Sequence, residues 1–164
     1  MRHTVLLQDG WRFAKTAEIP AAFPESWQPV TLPHTWNAAD GTDGGNDYWR
    51  GTACYCRRLT PPALAAGEQL WLEFEGAAMT AEVYLNGQKL ARHEGGYSTF
   101  RVELTPALQE GDNLLAVLVD NSENDTVYPQ KADFTFYGGL YRPVRLITVP
   151  AGHFALSYHG GSGL

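Results

Sequence analysis

Two thiols separated by one residue, Cys54 and Cys56 in ACYCRRL, are the first pair of side chains in this chain whose spacing suggests chemistry. A Cys-x-Cys pair can be half of a metal site, but no second pair and no His pair stands at ligand spacing from it. In a strand both thiols point to one face while the extended backbone holds them apart, so they read as free cysteines packed in place. Asp40, Asp43, Asn46 and Asp47 offer oxygen ligands, yet the acids fall at the first, fourth and eighth places rather than at the alternate positions of a calcium loop. His34 comes after Pro33 and His93 precedes Glu94-Gly95-Gly96, with no Ser, Cys or second His arranged around them, which points to core or turn roles. Glu73, Glu75 and Glu82 occupy outward strand positions and read as solvated rather than catalytic. No metal and no cofactor is expected.

The elements that must position these residues are strands. In LWLEFE, Leu70, Leu72 and Phe74 alternate with Trp71, Glu73 and Glu75, the period of a strand with one buried face. Ala81, Val83 and Leu85 alternate with Glu82 and Tyr84 and run into Asn86-Gly87, which predicts a hairpin on a type I′ turn with Lys89 to His93 as the return strand. Further strands are expected at Thr52 to Leu59, Gln69 to Gly76, Thr99 to Leu104, Asn113 to Asp120 and Pro143 to Val149. Leu114 to Val119 is apolar on both faces, as in a strand covered on both sides. Met1 to Phe13 suggests a strand ending at Asp9-Gly10, with Trp11 and Phe13 on one side of the next segment. From Ala17 to Pro33 four prolines exclude helix and central strand, leaving a surface wrap anchored by Phe23, Trp27 and Val30. Thr105-Pro106-Ala107-Leu108 predicts one helical turn that Thr105 can cap. Many short strands joined by turns indicate an all-β antiparallel sandwich.

Composition bounds the function. A chain of 164 residues can bury a core without disulfide or metal. With 12 Lys plus Arg against 18 Asp plus Glu, its net charge of −6 lacks the basic patch that nucleic acid or an anionic membrane would require. No apolar run approaches the roughly 20 residues of a membrane span. The opening MRHTVLLQDGWRF meets polar residues before a signal-peptide core is complete, so a cytoplasmic protein is expected.

One long stretch carries a resemblance. FEGAAMTAEVYLNGQKLARHEGGYSTFRVELTPALQEGDNLLAVLVDN is similar to the core of the N-terminal sugar-binding domain of glycoside hydrolase family 2, the family of β-galactosidases, β-glucuronidases and β-mannosidases. LPHTWNAADGTDGGNDYWRG before it, ADFTFYGGLYRPVRLI after it and HFALSYHGGSGL at the end agree, and the first of these most resembles the β-galactosidase branch. The resemblance implies a jelly-roll sandwich of the galactose-binding type over residues 1–150. It implies that residues 151–164 begin an immunoglobulin-like domain that is cut off here, with a TIM barrel beyond it. Cys54 and Cys56 depart from the family, which has a Trp and a basic residue there.

The resemblance also distributes the chemistry. Retaining glycosidases of this family use a nucleophilic and an acid/base carboxylate about 5 Å apart, both on the barrel, and no catalytic residue is expected in this chain. What the domain implies instead is sugar contact through Asp133, at the head of DFTFYGG, and through the loop bearing Trp49 and Arg50. A carboxylate can accept from two neighbouring hydroxyls, an aromatic ring can stack on a pyranose and an arginine can donate to it. The alternatives stay open: Asp133 pairing with Arg142 or capping the turn before Gly138-Gly139, Trp49 packing under its loop, Arg50 tying down carbonyls. The expected partners are a β-galactoside-like carbohydrate through the complete enzyme, its own downstream domains and further copies in a homo-oligomer. A free-standing carbohydrate-binding module and a purely structural interdomain sandwich are the competing readings.

Overall fold

The computed structural model describes residues 1–38, 48–128 and 135–157. Ten strands form two antiparallel sheets: β1 His3–Leu6, β2 Trp11–Ala14, β3 Gln28–Val30, β4 Thr52–Leu59, β5 Gln69–Phe74, β6 Thr80–Leu85, β7 Gln88–Glu94, β8 Phe100–Glu103, β9 Asn113–Asp120 and β10 Val144–Val149. Sheet I has the order β1-β10-β5-β8, and sheet II the order β3-β2-β4-β9-β6-β7. The all-β jelly-roll sandwich is therefore as the sequence implies.

The core fills the space between the sheets. Leu70, Leu72 and Phe74 from β5 meet Ala81, Val83 and Leu85 from β6, Leu115, Val117 and Val119 from β9, and Trp11, Phe13 and Tyr55. Alternation places these side chains inward, and burying each large one stabilises the fold by about 1.5–3 kcal/mol. The turn between β6 and β7 has positive φ at both Asn86 (53°) and Gly87 (80°), as a type I′ hairpin requires. β9 lies between β4 and β6 and is covered on both faces. Its outer face and that of β4 form a second cluster of Cys54, Cys56 and Ala116 under Ile19 and Trp27, so the proline-rich wrap is a lid on sheet II.

Four local expectations are corrected. The first thirteen residues make two strands rather than one, because Gly10 (φ 82°) turns the chain from sheet I into sheet II. The wrap contains a strand, β3, whose Pro29 pairs opposite Arg12; β3 is the outermost strand of its sheet, the position that tolerates a missing N–H. The helical turn is a 3-10 turn, Thr105–Ala107, without a side-chain cap, since the Thr105 hydroxyl accepts from the Leu70 amide at 2.8 Å instead. Glu73 is 7% exposed rather than solvated: Arg101 on β8 reaches it at 2.5 Å and Arg145 on β10 at 3.5 Å.

The outer face of sheet I is covered by the stretch after β10. Leu156 packs on Ile147 and Val149 beside Trp71, and Arg101 donates to the Leu156 carbonyl at 2.9 Å.

Candidate functional site

Trp49 and Arg50 lie where the chain enters β4, at one end of the sandwich. The Trp49 ring meets Trp36 edge-on at 5.3 Å, and Lys15 Nζ stands 4.4 Å from the centre of its ring. Gly51 permits this packing, since a Cβ there would come within 2.8 Å of the indole. Arg50 donates to the Asn121 carbonyl at 3.3 Å, and its guanidinium stands 5.2 Å from the centre of the Tyr48 ring. These contacts are those of the packing alternative. Asp133, Asp40, Asp43 and Asp47 lie outside the described residues. Arg142, the suggested partner of Asp133, donates to the carbonyls of Tyr97 at 2.9 Å and Glu75 at 3.3 Å.

Two buried asparagines that sequence reasoning missed hold this end together. Asn37 is 0% exposed and Asn121 is 2% exposed. Asn37 Oδ1 accepts from the Gly138 amide at 2.8 Å, while the Nδ2 groups of Asn37 and Asn121 each donate to the Trp49 carbonyl at 3.2 Å. Asn121 Oδ1 accepts from the Gly51 amide at 2.9 Å. The entry to β4, the exit from β9 and the Gly138-Gly139 turn are thereby tied into one unit. Both glycines sit in tight quarters: a Cβ at Gly138 would lie 2.5 Å from Trp36, and one at Gly139 2.5 Å from the Tyr55 oxygen. Asn37 in HTWN and Asn121 in VDNSEN look like ordinary turn residues, and nothing in their local pattern signals burial.

The remaining candidates are structural by their contacts. Cys54 and Cys56 are free, with sulfurs 3.6 Å apart, and the Cys56 hydrogen bond and burial push the Cys54 thiol up. Among the described residues no group of three His, Cys, Asp or Glu could hold a metal ion. His93 does have a serine against it, Ser98 at 3.1 Å, and stacks on Phe100 at 4.0 Å, where burial lowers its pKa. His34 Nδ1 lies 2.8 Å from the Tyr55 hydroxyl, and its pKa is lowered by burial. His34 lines a groove of about 230 Å³ with Pro33, Thr35, Tyr137 and Tyr141.

Residues 5–150 match the family described as the glycosyl hydrolases family 2 sugar binding domain. The chain belongs to this family. A crystal structure of an FMN-binding β-glucuronidase from Facaelibacterium prausnitzii L2-6 superimposes with a TM-score of 0.89 at 44% identity, over 99% of this chain and 25% of that one. A β-glucuronidase of Bacteroides fragilis is 35% identical over 89% of this chain and 21% of its own length. A β-galactosidase of Thermoanaerobacter pseudethanolicus is 31% identical over 76% of this chain and 17% of its own length. The family 2 domain thus spans about a fifth of the length of the curated relatives it matches. The resemblance to the β-galactosidase branch is not sustained as the stronger one, because glucuronidases stand at the higher identities.

Proposed function

We propose that this family 2 domain is the non-catalytic, sugar-contacting part of a larger retaining β-glycosidase, forming one wall of an active site whose catalytic carboxylates lie on another domain. The observation that carries the reading is the similarity of nearly the whole chain to a quarter of a β-glucuronidase. The three strand glutamates are engaged in ion pairs: Glu73 and Glu75 with Arg145, and Glu82 with Lys89 and Arg92. Asp133 is the proposed contact to the terminal sugar, with Trp49 and Arg50 beside it. The higher identities favour a glucuronide over a galactoside as substrate. A second reading, supported by the packing of Trp49 and the Arg50 bond to Asn121, makes those two purely structural and leaves Asp133 to contact the sugar.

The test is hydrolysis of para-nitrophenyl β-glucuronide and β-galactoside by the complete polypeptide that carries this domain, with Asp133→Ala, Trp49→Ala and Arg50→Ala beside it. A raised KM in Asp133→Ala alone selects the second reading. Unchanged kinetics in all three variants would remove the domain from the active site.

A further inference from the structure

The two sheets part at one edge of the sandwich. β1 is the outermost strand of sheet I, and the pairs His3 with Thr148 and Val5 with Leu146 set these four side chains on the face that Leu70 and Leu72 continue into the core. Val5 is nevertheless 57% exposed, so the space in front of it is open rather than packed. A cleft of about 390 Å³ lies there and reaches Arg57 and Leu59 on the opposite sheet. Alternation puts both on the inward face of β4 with Tyr55, while Cys54 and Cys56 face out. The cleft stands where β4 ends, whereas Trp49 and Arg50 stand where it begins.

Arg57 is short of partners in this cleft. Its Nη1 donates to the Asp9 carbonyl, its guanidinium stands 5.9 Å from the centre of the Trp11 ring, and its Nε is buried with no hydrogen-bond partner. It makes no ion pair among the described residues: the Asp9 carboxylate accepts from the Thr31 hydroxyl at 3.2 Å, and Glu25 is held by Arg58 at 2.6 Å. Burial lowers the Arg57 pKa, and the Asp9 charge opposes that only in part. A guanidinium keeps its charge in a protein, so Arg57 is a part-buried cation in want of a counter-charge.

We propose that this cleft binds an aliphatic monocarboxylate, its carboxylate on Arg57 and its hydrocarbon chain along Val5, Leu7, Leu59 and Leu146. A carboxylate is the anion whose two oxygens match the parallel N–H bonds of a guanidinium edge. His3 and Thr148 line the same cleft and can donate to it as well. The four aliphatic walls favour hydrocarbon over sugar, since a pyranose would set its hydroxyls against side chains that cannot bond them. At about 390 Å³ the cleft stands at the small end of the roughly 300–1,000 Å³ of ligand pockets, which fits a chain of medium length. The site goes beyond the proposed function and does not depend on it.

The experiment is an NMR titration of this chain with octanoate, following the Val5 and Leu146 methyl signals and the Arg57 Nε–H, with octanamide as the uncharged isostere. Saturable shifts are expected with octanoate and an affinity at least tenfold lower with octanamide. Arg57→Gln is expected to weaken octanoate at least tenfold. Val5→Trp, a filling change at an exposed side chain, is expected to abolish binding while the Leu72 and Val117 signals stay in place. Should Arg57→Gln not fold, Val5→Trp and octanamide decide between them. No saturable shift, equal affinity for octanamide, or binding that survives Val5→Trp overturns the proposal. Shifts at these signals as large with inorganic phosphate or methyl β-glucuronide also overturn it, assigning the cleft to anions at large or to sugar. Binding by this chain that is lost in the complete polypeptide overturns it too, since another part of the polypeptide then covers the cleft. Failure of the complete polypeptide to hydrolyse either glycoside would count against the proposed function alone, because the titration does not depend on hydrolysis.

Discussion

Glu73 shows why a single residue can defeat a pattern. Alternation along β5 turns it away from the core, correctly, but the partners that bury it are distant in sequence: Arg101 and Arg145 lie on the strands that flank β5 on either side. The Arg101 side chain is only 4% exposed, so Glu73→Ala leaves a buried guanidinium without its carboxylate. The expected loss is about 3 kcal/mol in urea denaturation. Asn37 and Asn121 were illegible for the same reason, since their partners Gly138, Trp49 and Gly51 become neighbours only in the fold. The two histidines predict a pH effect. Burial lowers the pKa of both His34 and His93, so the unfolded chain takes up protons on these residues before the folded chain does. Their contribution is complete above an unfolded pKa of about 6.5 and is lost as pH falls below it. Stability is therefore expected to drop on going from about pH 7.5 to 5.5, and His93→Gln is expected to flatten that slope in chemical denaturation.

Among elements, those fixed by local chemistry were readable and those fixed by distant pairing were not. The β6–β7 hairpin follows from Asn86-Gly87, and β4 and β9 from their apolar runs. β3 was hidden by Pro29, and the split of β1 from β2 depends on which sheet each joins. Even at the hairpin, the sequence does not show that the Asn86 side chain also bonds Asn113 at 2.8 Å and the Leu114 amide at 2.9 Å, pinning the turn to β9. Glycine substitutions separate these two kinds of constraint. At Gly87 a Cβ meets nothing within 4 Å, so Gly87→Ala carries only the cost of positive φ, about 1 kcal/mol. Gly138→Ala drives a Cβ into Trp36 and the Asn121 amide and is expected to lower Tm several times further in calorimetry. Asn37→Ala removes the acceptor of the Gly138 amide and leaves the Trp49 carbonyl with Asn121 Nδ2 as its side-chain donor. It is expected to cost roughly 2 kcal/mol and to speed amide exchange at Gly138 selectively.

For the molecule as a whole, the fold class and family were legible because the motifs run in order across nearly the whole chain, whereas the sugar they serve was not. The two outer faces are closed by irregular segments, the proline-rich wrap over sheet II and the stretch through Leu156 over sheet I. Leu156→Ala is expected to cost about 2 kcal/mol and to raise binding of a hydrophobic dye, since Leu156 is 2% exposed on Ile147 and Val149. The pairing of β1 with β10 carries a consequence for biosynthesis. His3 pairs with Thr148, so within this sandwich the first strand to be synthesised has the tenth as its partner. Sheet II has all of its strands as soon as β9 emerges, but sheet I stays open at its centre until β10 arrives to join β1 to β5. On a translating ribosome the sandwich therefore closes late and in a single step, when Val149 clears the exit tunnel.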